Sequence, residues 1–142
     1  MLPRVHRALS GSSSSFFILF SSTASSSKLS EFQRRRMSVK AFVDDAIADN
    51  KVAIFSKSYC PYCRSAKALF ASNYPDIQTV IYELDERDDG DAIQDYLQEK
   101  TGQRTVPNIF VNKQHVGGND KVTGLQSSGK LAALVNADQS KL

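Results

Sequence analysis

The residues best suited to chemistry are Cys60 and Cys63, which lie three positions apart and are the only cysteines in the chain. A short apolar run ending at Phe55 precedes them, and a helix-like stretch follows from Pro61. If a strand ends and a helix begins at these points, Cys60 lies where backbone N–H groups lack intrahelical partners and the helix dipole is positive. A negatively charged sulfur is favoured at such a position.

Three features of this stretch are expected to lower the pKa of the first cysteine: the helix start, the proline at the first helical position and the nearby Lys57. Cysteines in such surroundings have pKa values lowered from about 8.5 to about 3.5–7.5. We therefore predict that Cys60 is the nucleophile. Cys63, one helical turn further on, is predicted to lie deeper and to resolve a mixed disulfide formed at Cys60.

A Cys-x-x-Cys pair is also half of a zinc site. A structural zinc site needs four ligands, and besides the cysteines the chain offers only the dispersed His6 and His115. With both cysteines in one motif, a secreted disulfide framework is excluded. The strand and helix pattern around the motif favours redox chemistry, so we expect no resident metal and keep metal binding as the alternative.

The charges divide the chain into a basic leader and a slightly acidic body. Residues 1–36 carry six basic side chains and one acidic one, whereas residues 37–142 carry 12 basic and 14 acidic ones. The net charge of +3 therefore comes from the leader and does not indicate nucleic-acid binding by the body. We predict a disordered targeting leader at 1–36 and a single domain at 37–142.

The leader is rich in serine, carries Arg4 and Arg7 near its start and has no acid before Glu31. This composition is typical of a mitochondrial transit peptide. The apolar run at 16–20 also suits a weak signal peptide, but it is shorter than the roughly 7–15 residues of a secretory core or the roughly 20 of a membrane span. We expect mitochondrial targeting and no membrane span. A second start at Met37 would give a cytoplasmic form, while secretion or plain disorder are the alternatives.

The body shows alternating strand and helix patterns. Its crossover from strand to helix to strand favours parallel pairing in a right-handed unit, and the later strands are close enough for an antiparallel hairpin. The predicted helices cover 38–49 with Ser38 as N-cap, 61–72, a stretch ending at Gly102, 122–125 and 130–135; the predicted strands cover 51–56, 79–84, 108–111 and 115–117.

Three motifs together resemble the dithiol glutaredoxins. They are Lys-Ser-Tyr-Cys-Pro-Tyr-Cys at 57–63, Thr-Val-Pro at 105–107 and Gly-Gly-Asn-Asp at 117–120, and the likeness extends over 38–136. The chain differs from thioredoxin, whose motif is Trp-Cys-Gly-Pro-Cys, and from the monothiol, cluster-carrying glutaredoxins with Cys-Gly-Phe-Ser. The resemblance implies an α/β thioredoxin fold with a four-stranded mixed sheet flanked by helices.

The resemblance also implies glutathione as co-substrate and assigns residues to it. The bond before Pro107 is expected to be cis, so that Val106 main-chain groups beside Cys60 can pair with an extended cysteinyl backbone as an added strand. The glycine carboxylate is assigned to Lys57, Gln94 and Arg104, the γ-glutamyl end to Asn119 and Asp120, and the remaining pocket to Tyr62, Thr105, Val106, Pro107 and Gly118.

These positions also have simpler interpretations. Lys57 and Arg104 are compatible with solvated charges, and Gln94 with an exposed polar residue on a helix. Tyr62 suits an ordinary surface aromatic, and Pro107 suits a strand-edge breaker. The glycine pair at 117–118 could be only a turn and the following asparagine only an N-cap.

The predicted function is glutathione-dependent thiol–disulfide oxidoreduction, acting on protein–glutathione mixed disulfides and protein disulfides. The resemblance implies electrons from NADPH through glutathione reductase, and we expect a monomer that binds no nucleic acid. Two alternatives remain: a dimer that holds an iron–sulfur cluster through Cys60 and glutathione, and a redox sensor with little turnover.

Overall fold

A four-stranded sheet forms the middle layer of the computed structural model, which describes residues 29–137. The strand order is β2-β1-β3-β4, with β1 parallel to β2 and the other two pairings antiparallel. The sheet is therefore mixed, as predicted. Its strands are β1 (Val52–Ser56), β2 (Thr79–Glu83), β3 (Asn108–Val111) and β4 (Gln114–Gly117).

Helices cover both faces of the sheet. They are α1 (Glu31–Asp49), α2 (Pro61–Asn73), α3 (Gly90–Thr101), α4 (Asn119–Ser127) and α5 (Lys130–Asn136), with a 3₁₀ turn at Leu84–Glu86. Because side chains alternate along a strand, the fully buried β1 contributes side chains to two hydrophobic cores, one on each face of the sheet. Ala53 and Phe55 pack toward α1 and α3, whereas Val52 and Ile54 pack toward α2, α4 and α5. No helix within 29–137 has both the length and the apolarity to cross a membrane.

The first helix begins at Glu31, and the prediction of a start at Ser38 was wrong. The Ser30 hydroxyl accepts from the Gln33 N–H (3.3 Å), and the Gln33 side chain accepts from the Ser30 N–H (3.0 Å). This capping box starts a helix whose first turns are exposed, so they carry no apolar periodicity. The helix runs across the predicted leader boundary, and the leader prediction for residues 1–28 lies outside the described residues.

The hairpin and the end of α3 follow from local backbone conformation. Asn112 and Lys113 both have positive φ (48° and 68°), which is the conformation of a two-residue hairpin turn. Gly102 ends α3 at φ 78°, as predicted. The buried Asn112 amide also donates to the Ala137 carbonyl (3.1 Å), which attaches the turn to the end of α5.

Candidate active site

Cys60 occupies the N-cap position of α2, directly after the turn that leaves β1. Its backbone is extended, with φ −80° and ψ 120°, and Pro61 takes the first helical position. The Cys60 N–H donates to the Lys57 carbonyl (3.1 Å), and the Cys60 carbonyl accepts from the Arg64 N–H (3.1 Å). The predicted nucleophile therefore lies at a helix start, where N–H groups of the first turn are available to its sulfur.

The Cys60 thiol is half-buried and its pKa is lowered. Burial alone would raise this pKa, but hydrogen bonds from the Cys63 backbone, the Cys63 thiol and the Tyr62 backbone outweigh burial. The positive charge of Lys67 acts in the same direction. The first helical turn thus stabilises the thiolate, as the sequence indicated, and it is helped by a lysine that the sequence analysis did not single out.

Cys63 has the opposite character. Its side chain is 0% exposed, and burial, the strongest influence, raises the pKa of its thiol. The Lys57 backbone and the Ser56 hydroxyl lower the pKa, whereas the neighbouring Cys60 sulfur raises it, and the net direction is upward. Cys60 therefore ionises first, while Cys63 remains protonated beneath it.

The loop before β3 brings a second motif to the nucleophile. The Val106–Pro107 peptide bond is cis, as the resemblance implied. The Cys60 sulfur lies 3.9 Å from the Val106 carbonyl oxygen, within reach of a weak S–H donor. Main-chain groups of Val106 are therefore next to the reactive sulfur, which is the arrangement that pairing with an extended peptide requires.

Gln103 holds this loop in place. Its side-chain amide donates to the carbonyl of Thr105 (3.0 Å) and to the carbonyl of Pro107 (3.0 Å). These two carbonyls flank Val106, so one side chain fixes both ends of the segment that faces Cys60. The bond to the carbonyl of the buried residue Pro107 is part-buried.

A cleft of about 460 Å³ runs alongside the cysteine turn. Residues from all three motifs line it, including parts of the loop before β3 and of α4, although these segments are far apart in the chain. The predicted residues Tyr62, Thr105, Val106, Pro107, Gly118, Asn119 and Asp120 line this cleft, together with Gln103 and Lys121. Seven of the predicted site residues therefore meet around one cavity.

The start of α4 forms one wall of the cleft. It offers groups that can bind the carboxylate and the ammonium of an amino acid. Gly118 is the N-cap, and the exposed Asp120 lies in the first turn. The free N–H groups of a helix start bind carboxylates, and a carboxylate side chain can accept from an ammonium. The Asn119 side-chain oxygen is buried without a partner among residues 29–137, and the same residue lines the cleft.

Three predicted residues do not line this cleft: Lys57, Gln94 and Arg104. The Gln94 amide donates to the Arg104 carbonyl (2.7 Å), and the Arg104 guanidinium pairs with Asp95. Lys57 is half-buried in the loop before Cys60. Gln94 and Arg104 are thus brought together as expected, and their contact with a ligand stays a prediction.

Gln103 and Lys121 belong to the cleft but were not predicted. Lys121 directly follows Asp120 and Gln103 lies two positions before Thr105, so proximity in sequence was the available signal. A glutamine in a loop and a lysine beside Asp120 look like ordinary solvated residues. A Cβ added to Gly117 would lie 3.2 Å from the Lys121 Cγ, which shows that the lysine stem packs over the glycine turn.

A further contact fixes the loop that leads to the nucleophile. The Ser58 N–H donates to an Asp85 carboxylate oxygen (2.8 Å), and the Ser58 hydroxyl donates to the other. These hydrogen bonds lower the pKa of Asp85, even though its side chain is exposed. The 3₁₀ turn after β2 thereby anchors the loop after β1.

Comparison with known proteins agrees with this geometry. The glutaredoxin family model matches residues 52–116, which include the cysteine turn, the cis-proline loop and the hairpin. Glutaredoxin-C8 of Oryza sativa subsp. japonica is 48% identical over 101 residues, covering 71% of this chain and 74% of that protein. Glutaredoxin-C4 of Arabidopsis thaliana is 46% identical over 100 residues, covering 70% and 73% respectively.

A solved structure shows the same fold. The crystal structure of the buckwheat glutaredoxin–glutathione complex has a TM-score of 0.68 and 37% sequence identity, with 72% of this chain and 92% of that chain covered. The motifs, the mixed sheet and the similar proteins all indicate the same family. The chain belongs to the glutaredoxin family of glutathione-dependent thiol–disulfide oxidoreductases.

Proposed function

We propose that Cys60 attacks the glutathionyl sulfur of a protein–glutathione mixed disulfide. A bond forms between Cys60 and the glutathione sulfur, the bond to the protein sulfur breaks, and the protein leaves as a thiolate. A second glutathione thiolate then attacks the glutathione sulfur held by Cys60. Oxidised glutathione leaves, and the Cys60 thiolate is regenerated.

For protein disulfides, Cys60 forms a mixed disulfide with the target and Cys63 resolves it. The Cys63 thiolate attacks the Cys60 sulfur, which forms the Cys60–Cys63 disulfide and releases the reduced target. Two glutathione molecules then reduce that disulfide. The observation that carries this assignment is the contrast between the two sulfurs, because Cys60 is half-buried with a lowered pKa and Cys63 is 0% exposed with a raised one.

Glutathione occupies the cleft in this proposal. Its cysteinyl backbone pairs with Val106, and its γ-glutamyl end is held by the start of α4 with Asn119 and Asp120. The buried, unpartnered Asn119 oxygen supports this placement, since it supplies an acceptor for an ammonium or amide donor. The glycine carboxylate extends beyond the cleft lining in this proposal, toward the cations of Lys57 and Arg104 and the amide of Gln94.

The decisive experiment measures reduction of a glutathionylated substrate by the full chain, coupled to glutathione reductase and NADPH. Cys60→Ser should abolish activity on both mixed disulfides and protein disulfides. Cys63→Ser should retain the first activity and lose the second. Activity in Cys60→Ser would refute the nucleophile assignment, and activity with thioredoxin reductase but not with glutathione would refute the glutathione site.

We also propose that the protein works in two compartments, with residues 1–36 directing it to mitochondria and a product starting at Met37 remaining in the cytoplasm. The arginine and serine content of the leader supports the first part. Immunoblots of fractionated cells should show two sizes, and Met37→Leu should remove only the shorter one. A single product that is unaffected by this change would contradict the second start.

A further inference from the structure

Gln103, whose side chain holds the loop at Val106, is itself held through its backbone. Its N–H donates to the Thr101 hydroxyl oxygen (3.1 Å), and its carbonyl accepts from the Asn108 side-chain amide (3.3 Å). The same amide lies 3.4 Å from the Thr101 hydroxyl oxygen. The end of α3 and the start of β3 are therefore joined at the residue whose side chain fixes the cis-proline loop.

Asn108 is a polar residue in the interior of the protein. It is 1% exposed and shares its strand face with Phe110, which belongs to the core against α1 and α3. An amide in such a place costs free energy unless its hydrogen bonds are made. Both ends of the amide are paired, because its Oδ1 atom lies 2.9 Å from the Nε2 atom of His115 on β4.

The partners of Asn108 decide which way its amide points and where the His115 proton lies. The Gln103 carbonyl oxygen can only accept, so the Asn108 nitrogen faces it and the Asn108 oxygen faces His115. A carbonyl oxygen cannot donate, so His115 Nε2 is the donor of that bond. The hydrogen bonds therefore run in one direction, from His115 through Asn108 to the Gln103 backbone.

We propose that Asn108 and His115 are positioning residues for the reaction with glutathione. Neither lines the cleft, and each acts through Gln103. Together they fix the Gln103 backbone, so that its side chain can hold Val106 beside Cys60. This inference rests on the proposed pairing of the glutathione backbone with Val106, and it extends the support of that segment to both strands of the hairpin.

His115→Phe tests the outer hydrogen bond. It removes the donor but keeps a ring beside Phe110, where the two ring centroids lie 5.1 Å apart. In reduction of a glutathionylated peptide by the full chain, it should raise the KM for glutathione by at least about threefold, since a displacement of about 1 Å can cost up to about 10²-fold. His115→Gln carries an amide donor and should return this KM to within about twofold of the original. Alkylation of Cys60 by iodoacetamide does not use the cleft, so its rate should change by less than about twofold in both variants.

A comparison of single and double variants tests whether Asn108 acts through Gln103. Asn108→Ala should lower kcat/KM by at least about fivefold. In a Gln103→Ala background it should cause less than about a twofold further loss, because residues that support the same contact have non-additive effects. Tyr74→Phe is the control, since it removes one hydrogen bond of 2.6 Å, to Gln126, and neither residue lines the cleft. It should lower the melting temperature and leave the KM for glutathione unchanged.

The position of the His115 proton can be read directly. Nitrogen-15 NMR of the full chain, at a pH well above the ordinary histidine pKa of about 6.5, should show the hydrogen on Nε2. A hydrogen on Nδ1 would overturn the proposal, and so would a KM of His115→Phe equal to that of Tyr74→Phe. Additive losses from Asn108→Ala and Gln103→Ala would show that Asn108 only supports the fold. An unaltered protein that does not reduce the peptide with glutathione would instead refute the proposed function, so the two failures are distinguishable.

Discussion

Replacing Gln103 with alanine tests whether the loop at Val106 must be held in place for activity. The side chain donates two hydrogen bonds of 3.0 Å, one to the Pro107 carbonyl and one to the Thr105 carbonyl. A typical hydrogen bond contributes about 0.5–1.5 kcal/mol, and leaving a buried acceptor unpaired costs about 1–3 kcal/mol. Pro107 is buried and Thr105 is exposed, so only the first carbonyl loses its partner without gaining water.

We therefore expect Gln103→Ala to lower the free energy of unfolding by about 1.5–4.5 kcal/mol. The loosened loop should also displace Val106 from Cys60, and displacements of about 1 Å can cost up to about 10²-fold in rate. Urea denaturation gives the first quantity, and steady-state reduction of a glutathionylated peptide gives the second. We expect kcat/KM to fall by between about tenfold and 10²-fold.

Gln126→Ala is the matched control. Gln126 accepts from the Tyr74 hydroxyl (2.6 Å) and donates to Asn73 (3.2 Å), so it also makes two hydrogen bonds, and none of these three residues lines the cleft. It should lower stability without lowering kcat/KM. If Gln103→Ala lost no more activity than Gln126→Ala, the claim that Gln103 positions Val106 would be refuted.

Three further changes have defined outcomes. A chain starting at Met37 keeps every buried residue of α1 but loses the Ser30 cap and the exposed Arg36–Glu99 ion pair, so it should be about 1–2 kcal/mol less stable in urea yet fully active; inactivity would contradict this. Lys121→Glu places an anion in the cleft and should raise the KM for glutathione at low salt, an effect that should shrink as salt screens it; a KM unaffected by the change would mean that the ligand lies beyond reach of Lys121. Asp85 has a lowered pKa in the folded state, so its stabilising effect is present above the ordinary value of 3.8 and is lost as pH falls through the lower folded value. The stability difference between the unaltered protein and Asp85→Asn should therefore vanish in acid, and a difference that grew below pH 3.8 would contradict the assignment.

Much of the fold follows from local signals. Pro61 and the helical stretch after it place the start of α2, and Gly102 supplies the left-handed residue that ends α3. The α1 start was missed because exposed helical turns have no apolar stripe, while the capping box of Ser30 and Gln33 was the signal that could have found it.

Some features of the functional site also follow from local sequence signals, and others do not. The sequence alone determined that Cys60 is a helix-start thiol, because that depends on residues within one turn of it. The resemblance added the cis bond before Pro107 and most of the cleft lining.

Only the tertiary structure decided which distant side chains meet. Gln103 reaches both sides of the cis-proline loop, Lys121 packs over Gly117, and Glu83 lies beside Ser56 under the α2 face because β1 and β2 pair in one register. These contacts depend on crossovers and strand register, which no local pattern encodes. For that reason the sequence identified the reactive sulfur, whereas the fold identified the groups that position its loop.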